Sequence, residues 1–255
     1  MSWNPQQYLK FAQPRLRPAL DLLARIDVAT PERVYDLGCG TGNITKLLAE
    51  RWPQARVTGV DDSAEMLAQA RQAAKAIEWI QASLATWRPQ QEGDVVYSNA
   101  ALHWLPDHES LFPSIAQCVA SGGTLAVQMP RNFLAPSHTL IYETIRAGKW
   151  QRALEPLIVP PRVKEQDFYY SLLEPFAARL DIWETEYLHV LEGKDAVKEW
   201  TKGTWLKHFL DALEEPQRSE FETEYARRVN LAYPPRADGR TLFPFRRLFI
   251  VMQKK

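Results

Sequence analysis

The stretch Arg33-Val34-Tyr35-Asp36-Leu37-Gly38-Cys39-Gly40-Thr41-Gly42-Asn43 decides the fold of this chain. A short apolar run reaches Leu37, glycines alternate at positions 38, 40 and 42, and an amphipathic run follows from 44 to 52. This order predicts a strand, a tight glycine turn and a helix, so that a ligand lies against bare backbone at the helix N-terminus. Glycine suits a turn with unusual backbone angles and leaves room for the ligand.

The glycine spacing separates this loop from the dinucleotide-binding fingerprint, whose third glycine falls one residue later. Asn43 occupies that later position, and Asp36 stands at the strand end just ahead of the loop. An acid at this point disfavours a pyrophosphate and favours a ligand that carries a positive amine. The loop therefore disfavours an NAD-dependent enzyme.

Composition excludes several classes of function. The 31 Lys and Arg residues balance 31 Asp and Glu residues, so no net charge favours nucleic acid or an anionic membrane as a partner. We expect no secretory signal and no membrane-spanning helix. Cys39 and Cys118 have no metal-ligand cluster around them, so we expect no metal and an inert Cys39. A soluble cytoplasmic protein is expected, and the sequence leaves open a monomer or a weak dimer.

The segment from 56 to 61 predicts a second strand that ends in Asp61. In open α/β folds an acid at this distance from the glycine turn accepts hydrogen bonds from a pair of ribose hydroxyls. The neighbouring Asp62 is a second candidate, although both acids also suit a helix start. Ser63 is expected to cap the next helix. Met66, on its first turn, is either a contact of the ligand's base or core.

The segment from 94 to 99 predicts the fourth strand and ends in Asn99. Ligands of open parallel sheets lie outside the carboxyl ends of the strands, at the point where strand order reverses. The first and fourth strands flank that point, so Asn99, His103 and Trp104 are placed beside the ligand. A histidine next to a tryptophan also suits simple packing.

The remaining chain continues this alternation and then departs from it. A first helix is expected from 14 to 25 with a buried stripe at Leu16, Leu20, Leu23 and Ile26. The other predicted elements are a third strand at 77–81, a helix at 108–120 closed by a glycine turn at 121–123, a fifth strand at 124–129, a sixth at 180–191, a helical stretch at 192–243 and a closing strand at 245–252.

The stretch from Asp36 to Pro130 resembles the core of the class I methyltransferases, which bind S-adenosylmethionine. The resemblance implies a Rossmann-like, doubly wound α/β fold with a mainly parallel seven-stranded sheet and an antiparallel last strand. It implies a single domain over 1–255, with a core at about 30–130 plus the strands near 180–191 and 245–253. Helical lid insertions are then expected at about 133–164 and 192–243, over the acceptor pocket.

The resemblance also implies which residues contact S-adenosylmethionine, with S-adenosylhomocysteine as the product. In this family an Asp commonly accepts the adenine amino group at the place where this chain has Ser83, and a hydroxyl accepts that bond more weakly. The backbone N–H of the next residue remains available to the ring. The expected cofactor-binding residues are Asp36, Gly38, Cys39, Gly40, Gly42, Asp61, Asp62, Met66, Ser83, Leu84 and Asn99.

Further segments, spread over nearly the whole chain, are similar to the trans-aconitate 2-methyltransferases. They include the runs at 3–5, 103–108, 125–130 and 247–251. The resemblance implies methylation of one carboxylate of trans-aconitate, which gives a monomethyl ester. Two other hypotheses stay open, namely methylation of another small or carrier-bound acyl carboxylate or a phenol, and S-adenosylmethionine binding without catalysis.

A carboxylate acceptor simplifies the chemistry that the protein must supply. Carboxylates are ionised at neutral pH, so no residue is required as a general base, and His103 and Trp104 are expected only to position the acceptor. A small polycarboxylate must be clamped by cations, for which the planar fork of arginine is suited. The expected substrate-binding residues are Tyr8, Arg15, Arg17, His103, Trp104, Arg131, Tyr169 and Arg247.

Overall fold

The computed structural model describes residues 12–255, with side chains from residue 16 onward. Tyr8 and the other aromatic residues of the N-terminal segment lie outside the described residues. The helices are α1 (Ala12–Leu23), α2 (Asn43–Arg51), α3 (Ala64–Ala73), α4 (His108–Gln117), α5 (Pro136–Ala147), α6 (Gln151–Leu154), α7 (Gln166–Leu173), α8 (Ala196–Lys202), α9 (Trp205–Leu210) and α10 (Gln217–Ala232). None of them is long and apolar enough to cross a membrane.

The strands form one seven-stranded sheet. They are β1 (Arg33–Leu37), β2 (Arg56–Asp61), β3 (Glu78–Gln81), β4 (Gly93–Asn99), β5 (Val119–Pro130), β6 (Ala177–Leu191) and β7 (Thr241–Lys254). Their order is β3-β2-β1-β4-β5-β7-β6. The pairs from β3 to β5 are parallel, and β7 runs antiparallel to β5. The predicted doubly wound fold with an antiparallel last strand is therefore confirmed.

The strands at the centre of the sheet are apolar on both faces. In β2 every residue after Arg56 is buried, and in β4 Val95, Val96 and Tyr97 have no exposed surface. A parallel sheet covered by helices on both faces requires such continuous apolar runs rather than alternation. This burial brings the ends of β1 and β4 side by side, as the sequence predicted.

The predicted boundary between α4 and β5 was wrong. The helix ends at Gln117, with Cys118 as its cap, and the strand begins at Val119 rather than at Thr124. The register against β4 shifts here, because Gly93 pairs with Val119 but Val95 pairs with Thr124. The glycines expected to close the helix therefore lie within an irregular part of the strand.

Two further predicted elements differ from the structure. The first helix begins at Ala12, and its buried face carries Leu22 instead of Leu20, which is 42% exposed. The stretch expected to be helical from 192 to 243 contains three separate helices and the start of β7. Turns and a proline, Pro216, separate these helices. Proline disfavours the helical backbone conformation of the residue that precedes it, so a helix usually ends before a proline.

The chain divides into two compact units. Unit 1 comprises the described residues up to Leu16 together with Arg131–Pro161 and Glu186–Arg246, and unit 2 comprises Arg17–Pro130, Arg162–Thr185 and Arg247–Lys255. Most of the sheet and the glycine loop belong to unit 2. The segments predicted as lid insertions fall largely in unit 1, and their role as a lid stays a prediction.

Unit 1 has its own aromatic core. Trp200, Phe221, Tyr225 and Phe243 are all 2% exposed or less. The indole of Trp150 meets Phe221 edge to face, with ring centroids 5.3 Å apart. Large aromatic side chains bury much apolar surface each, so a small helical unit reaches a stable core with few residues.

A hydrogen-bonded cluster surrounds the first turn of α5 in this unit. The hydroxyl of Tyr225 donates to the carbonyl oxygen of Ser137 at 2.8 Å and lies 3.2 Å from Thr201 Oγ1. The backbone N–H of Ser137 in turn donates to Tyr233 Oη at 3.3 Å. These bonds join α5, α8 and α10 through groups that water does not reach.

The cluster gives a first test of the fold. Tyr225→Phe leaves the carbonyl of Ser137 without this buried donor, so we expect the free energy of unfolding to fall by about 1–3 kcal/mol. Thr223→Val, which removes an exposed hydroxyl from the same helix, is the control and should change it by less than about 0.5 kcal/mol. Urea denaturation measures both values, and equal stability of the two variants would contradict the prediction.

Candidate active site

The glycine loop between β1 and α2 is fixed to the neighbouring strand by its backbone. The N–H groups of Gly38 and Cys39 both donate to the carbonyl oxygen of Val60, at 2.8 and 3.1 Å. Gly42 precedes α2 in the left-handed region with φ 76°, and no side chain caps the helix. The first N–H groups of α2 are therefore left without a side-chain cap, which favours an acceptor at this helix end.

Two glycines of the loop are required for different reasons. Gly38 has φ 77°, and a Cβ at this position would lie 2.1 Å from Ala101 Cβ, so the loop packs tightly against the segment after β4. Gly40 has φ 54°, which residues with a Cβ rarely adopt, and a Cβ there would lie 3.5 Å from Met66 Sδ, an ordinary contact distance. Among the described residues, Gly40 therefore has more room beside it than Gly38, where protein already fills the space.

Asp36, the acid at the end of β1, is only 2% exposed. Its Oδ2 accepts a hydrogen bond of 2.6 Å from the hydroxyl of Thr45 on α2. Burial raises the pKa of Asp36 to about 7, and the nearby Asp61 adds to this rise while the Thr45 bond opposes it. A cation bound close to this carboxyl would stabilise its ionised form.

Asp61, at the end of β2, holds the loop rather than facing solvent. Its Oδ2 accepts from the backbone N–H of Gly40 at 2.8 Å, and its Oδ1 accepts from the N–H of Ser63 at 2.9 Å. Burial raises the pKa of Asp61, and the two backbone bonds oppose the rise. Asp62 is exposed. Ser63 caps α3 through Met66 N–H, as predicted.

The remaining predicted cofactor residues lie around the loop. Met66 approaches Gly40, and Leu84 Cδ1 lies 3.5 Å from the position that a Cβ on Gly38 would occupy. Ser83 is exposed, and its carbonyl accepts from the N–H groups of the next turn. Cys39 is buried, and burial raises the pKa of its thiol, in agreement with an inert side chain.

The segment after β4 carries strained backbone and an exposed ring. Asn99 Oδ1 is buried, and it has no hydrogen-bond partner among the residues that the structure describes. Ala100 adopts φ 53°, which is uncommon for a residue with a Cβ and marks functional segments. His103 and Trp104 follow in a short 3-10 helix with ring centroids 4.6 Å apart. His103 is buried, whereas Trp104 is 39% exposed.

A buried hydrogen-bond chain, which the sequence did not reveal, supports this segment. His108 Nε2 lies 3.0 Å from the carbonyl oxygen of Leu102, and Nδ1 lies 2.7 Å from Tyr169 Oη. Because a carbonyl only accepts, Nε2 carries the proton and the hydroxyl of Tyr169 donates to Nδ1. Tyr169 Oη accepts from Lys164 N–H at 3.1 Å, and the guanidinium of Arg162 donates to the carbonyl of Trp104.

These hydrogen bonds give Tyr169 a structural role. This side chain is fully buried on α7, and its hydroxyl joins α7 to the segment that carries His103 and Trp104. The sequence analysis places Tyr169 among the acceptor contacts, and this role stays a prediction, while the observed bonds show that Tyr169 also supports the segment. His108 and Tyr169 are 61 residues apart in the chain, so the sequence alone does not predict that they form a hydrogen bond.

The predicted arginines occupy different environments. Arg247 on β7 is 5% exposed, and its Nη1 lies 3.5 Å from Gln128 Oε1 on β5. Arg17 on α1 is exposed and pairs with Asp21, one turn later, at 3.8 Å. Its side chain is 72% exposed, and such surface pairs contribute little to stability.

The other predicted acceptor residues belong to unit 1 or lie outside the description. Arg131 is half-buried in unit 1, and its backbone N–H donates to the carbonyl of Arg246 at 2.9 Å. Arg15 lies on α1, where only the backbone is described, and Tyr8 lies outside the described residues. The remaining predicted acceptor residues, Arg17, His103, Trp104, Tyr169 and Arg247, belong to unit 2. Across residues 12–255, no group of three or more His, Cys, Asp or Glu is placed to hold a metal ion.

The buried histidine gives a prediction about pH. Burial lowers the pKa of His108, with the charges of Lys164 and Arg162 acting in the same direction and its hydrogen bonds to backbone opposing them. The folded state thus holds the imidazole neutral, whereas the unfolded chain takes up a proton below pH about 6.5. Its contribution to stability is complete above that pH and is lost as the pH falls through it.

The stability of His108→Gln, measured against the wild type by urea denaturation, tests this assignment. We expect the stability advantage of the wild type to be larger at pH 8 than at pH 5.5. His138, whose pKa burial lowers to about 4, titrates in both proteins and cancels from the difference. Tyr170→Phe, at the exposed residue next to Tyr169, is the control for unrelated pH effects. The same advantage at both pH values would contradict the assignment.

Comparison with known proteins identifies the family. A family model described as a methyltransferase domain matches residues 34–123. The chain is 48% identical over 250 residues to the trans-aconitate 2-methyltransferase of Azoarcus sp. (strain BH72), covering 98% of both chains. It is 46% identical over 253 residues to the trans-aconitate 2-methyltransferase of Rhodopseudomonas palustris (strain BisB18), covering 99% of both.

A solved structure shares the fold at lower identity. This is phosphoethanolamine N-methyltransferase 2 of Haemonchus contortus, in complex with phosphomonomethylethanolamine and S-adenosylhomocysteine. It is 15% identical with a TM-score of 0.56, and the match covers 94% of this chain and 53% of that protein. With relatives this similar over nearly its whole length, the chain belongs to the trans-aconitate 2-methyltransferase family.

Proposed function

We propose that this protein transfers a methyl group from S-adenosylmethionine to one carboxylate of trans-aconitate, which gives the monomethyl ester and S-adenosylhomocysteine. The observation that carries the proposal is the full-length similarity to enzymes of that name, at 48% identity. We further propose that the acceptor is a free polycarboxylate and that the enzyme works in the cytoplasm without nucleic acid or membrane partners. The balanced charge of the chain supports this part.

The glycine loop fits the nucleoside end of the methyl donor. A ligand can lie closely against the backbone at Gly40, because within the described residues a Cβ there would make just one ordinary contact, 3.5 Å from Met66 Sδ. Asn99 Oδ1 is a buried acceptor that a donor group of the ligand satisfies. When bound, S-adenosylmethionine supplies an activated methyl group on a cationic sulfur.

The acids at the strand ends have separate proposed roles. The carboxyl of Asp36 is buried next to the loop, and a cationic ligand compensates the free energy that its ionisation costs. Asp61 organises the loop through Gly40, and it and Asp62 accept the ribose hydroxyls. Leu84 and Ser83 lie on the base side, where the backbone N–H of Leu84 donates to the ring.

The enzyme has to hold the acceptor in position, but it does not have to activate it. A carboxylate with an ordinary pKa near 4 is already ionised at neutral pH, so no residue of the chain has to remove a proton. Holding two reactants in line at near-attack distance contributes up to about 7–11 kcal/mol to lowering the barrier. His103 and Trp104 are the proposed positioning residues, on a segment that His108 and Tyr169 hold in place.

Arg247 is the proposed clamp for a carboxylate of the acceptor that is not methylated. Its guanidinium is charged at every physiological pH, and only 5% of the residue is exposed. A cation buried this deeply favours an anion beside it, because the pair recovers solvation that each ion loses. Arg15, Arg17, Arg131 and Tyr8 stay further predictions for the same task.

Substitution of the loop glycines tests the cofactor site. Gly40→Ala makes only an ordinary contact with Met66 but places an alanine at φ 54°, which costs about 1–2 kcal/mol. We therefore expect a folded, less stable protein whose affinity for S-adenosylmethionine falls at least tenfold. Gly38→Ala places a methyl group 2.1 Å from Ala101 Cβ, so we expect it to lower the free energy of unfolding by at least about 2 kcal/mol. Calorimetry and urea denaturation measure the two effects. Cofactor affinity that Gly40→Ala leaves unchanged would contradict the proposed position of the ligand.

Arg247→Lys tests the acceptor site in the same assay as the proposed activity. Purified protein is incubated with labelled S-adenosylmethionine and with trans-aconitate, cis-aconitate, citrate or isocitrate, and we expect trans-aconitate to be the preferred acceptor. Lysine keeps the charge but loses the planar fork, so KM for trans-aconitate should rise about 10–100-fold with unchanged cofactor affinity.

The neighbouring residue provides the control. Arg246 is exposed, with its guanidinium 4.0 Å from Glu186, and Arg246→Lys should leave KM for the acceptor within about twofold of the wild type. No product with any of the four acids would refute the proposed acceptor class. An equal loss of cofactor and acceptor affinity in Arg247→Lys would remove Arg247 from the clamp.

A further inference from the structure

Gln128, near the carboxyl end of β5, is a completely buried polar side chain with an unused donor. Its Oε1 lies 3.5 Å from Arg247 Nη1, and the residue has no exposed surface. Its Nε2 is buried and has no hydrogen-bond partner in the described part of the chain. Buried amide groups are almost always paired, so an orphaned one requires an explanation.

The neighbouring strands place further polar groups on the same face of the sheet. Gln128 is paired with Asn99 in the parallel ladder of β4 and β5, and directly paired residues point to the same side. Arg247 is paired with Pro130, two residues along β5 from Gln128, and so shares this face. Asn99, Gln128 and Arg247 thus form a row across β4, β5 and β7 at the edge where the glycine loop lies.

The donors in this row have one preferred kind of ligand. Arg247 offers guanidinium N–H groups, Gln128 offers an amide N–H that is not used, and each donates to the oxygen atoms of a carboxylate. Asn99 Oδ1 is also buried without a partner among the described residues; it is an acceptor and would repel a carboxylate, but under the proposed function the cofactor supplies its partner. Of the three residues in the row, Arg247 alone carries a charge, and one positive charge matches one carboxylate.

We propose that Gln128 is a specificity-determining residue that, together with Arg247, binds a carboxylate of the acceptor. The inference rests on the proposed function, because it concerns the acid that the enzyme methylates. Oε1 of Gln128 accepts from the guanidinium and orients it, while Nε2 donates to a carboxylate oxygen. Both side chains are almost completely buried, with Gln128 at 0% and Arg247 at 5% exposed surface.

An internal water molecule is the alternative partner for Nε2. A water that satisfies the amide would make Gln128 part of the folded framework, so that its loss would leave the acceptor KM unchanged. A carboxylate that satisfies the amide during the reaction makes Gln128 part of the acceptor site, so that its loss would raise the acceptor KM. Tm does not separate the two alternatives, because loss of Gln128 also removes the oxygen that accepts from Arg247.

The experiment compares Gln128→Leu, Gln128→Glu and the exposed control Gln117→Leu with the wild type. Leucine has nearly the same size, but it leaves the guanidinium of Arg247 without the oxygen of Gln128, so we expect a folded protein with a somewhat lower Tm. We expect kcat/KM for trans-aconitate to fall about 10–100-fold through KM, with an unchanged dissociation constant for S-adenosylmethionine in calorimetry.

Gln128→Glu tests whether a negative charge at position 128 competes with the acceptor's carboxylate for Arg247. A carboxylate at 128 would pair with the guanidinium of Arg247 and occupy the position of the acceptor's carboxylate. We expect Gln128→Glu to raise Tm above that of Gln128→Leu and to bind the acceptor more weakly than Gln128→Leu does. Gln117→Leu, on the exposed end of α4, should match the wild type in acceptor and cofactor binding.

Ligand-induced shifts of Tm separate this inference from the proposed function. Trans-aconitate and citrate are added to each protein without the methyl donor, so the readout does not depend on turnover. A shift in the wild type that disappears in Gln128→Leu supports the carboxylate site even if no acid is methylated. An acceptor KM of Gln128→Leu within twofold of the wild type, or no shift of the wild type with either acid, would overturn it.

Discussion

The candidate site depends on one hydrogen bond, between the carboxylate of Asp61 and the backbone N–H of Gly40. It joins the end of β2 to the middle of the glycine loop, while two loop N–H groups donate to Val60 on the same strand. A carboxylate that accepts backbone N–H groups can stay ionised despite its burial. The loop is thus fixed before any ligand arrives, which lowers the entropy that binding has to overcome.

The rest of unit 2 extends the same arrangement across the sheet. Each strand end next to the loop carries a polar side chain that the fold alone does not require, among them Asp36 and Asn99, and Gln128 lies two residues before the end of β5. Replacing such residues by apolar ones often leaves a fold as stable or more stable. Their presence at one edge, and the positive φ of Ala100 beside them, is therefore better explained by binding than by stability.

The sequence predicted the features that depend on residues close to one another along the chain. The alternation of apolar runs and glycine turns indicated the strands, and Ser63 indicated the start of α3. The end of α4 was misjudged because Gly122 resembles a helix cap, whereas it occupies an irregular part of β5 with φ 75°. A strand register that shifts between Gly93 and Val95 depends on both partners and leaves no signal in either one alone.

The unpredicted parts of the site come from pairs far apart in the chain. His108 and Tyr169 are 61 residues apart, and Gln128 and Arg247 are 119 apart. Each pair needs the sheet and its helices in place before the side chains meet. Gln128 lies in the run 125–130 that resembles the family, but a single glutamine in an apolar strand has no pattern that distinguishes a ligand contact from packing.

The proposed reaction explains why the site is built from positioning groups. Because a carboxylate acceptor arrives already ionised, selection acts on where it is held and not on a base that deprotonates it. An additional base would have no proton to remove from an acceptor that is already ionised. The polar residues of unit 2 then divide into acceptors that face the donor's nucleoside and donors, such as Arg247, that face the acid. On this view the order of acceptors and donors along the sheet edge, rather than one catalytic side chain, determines which acid is methylated.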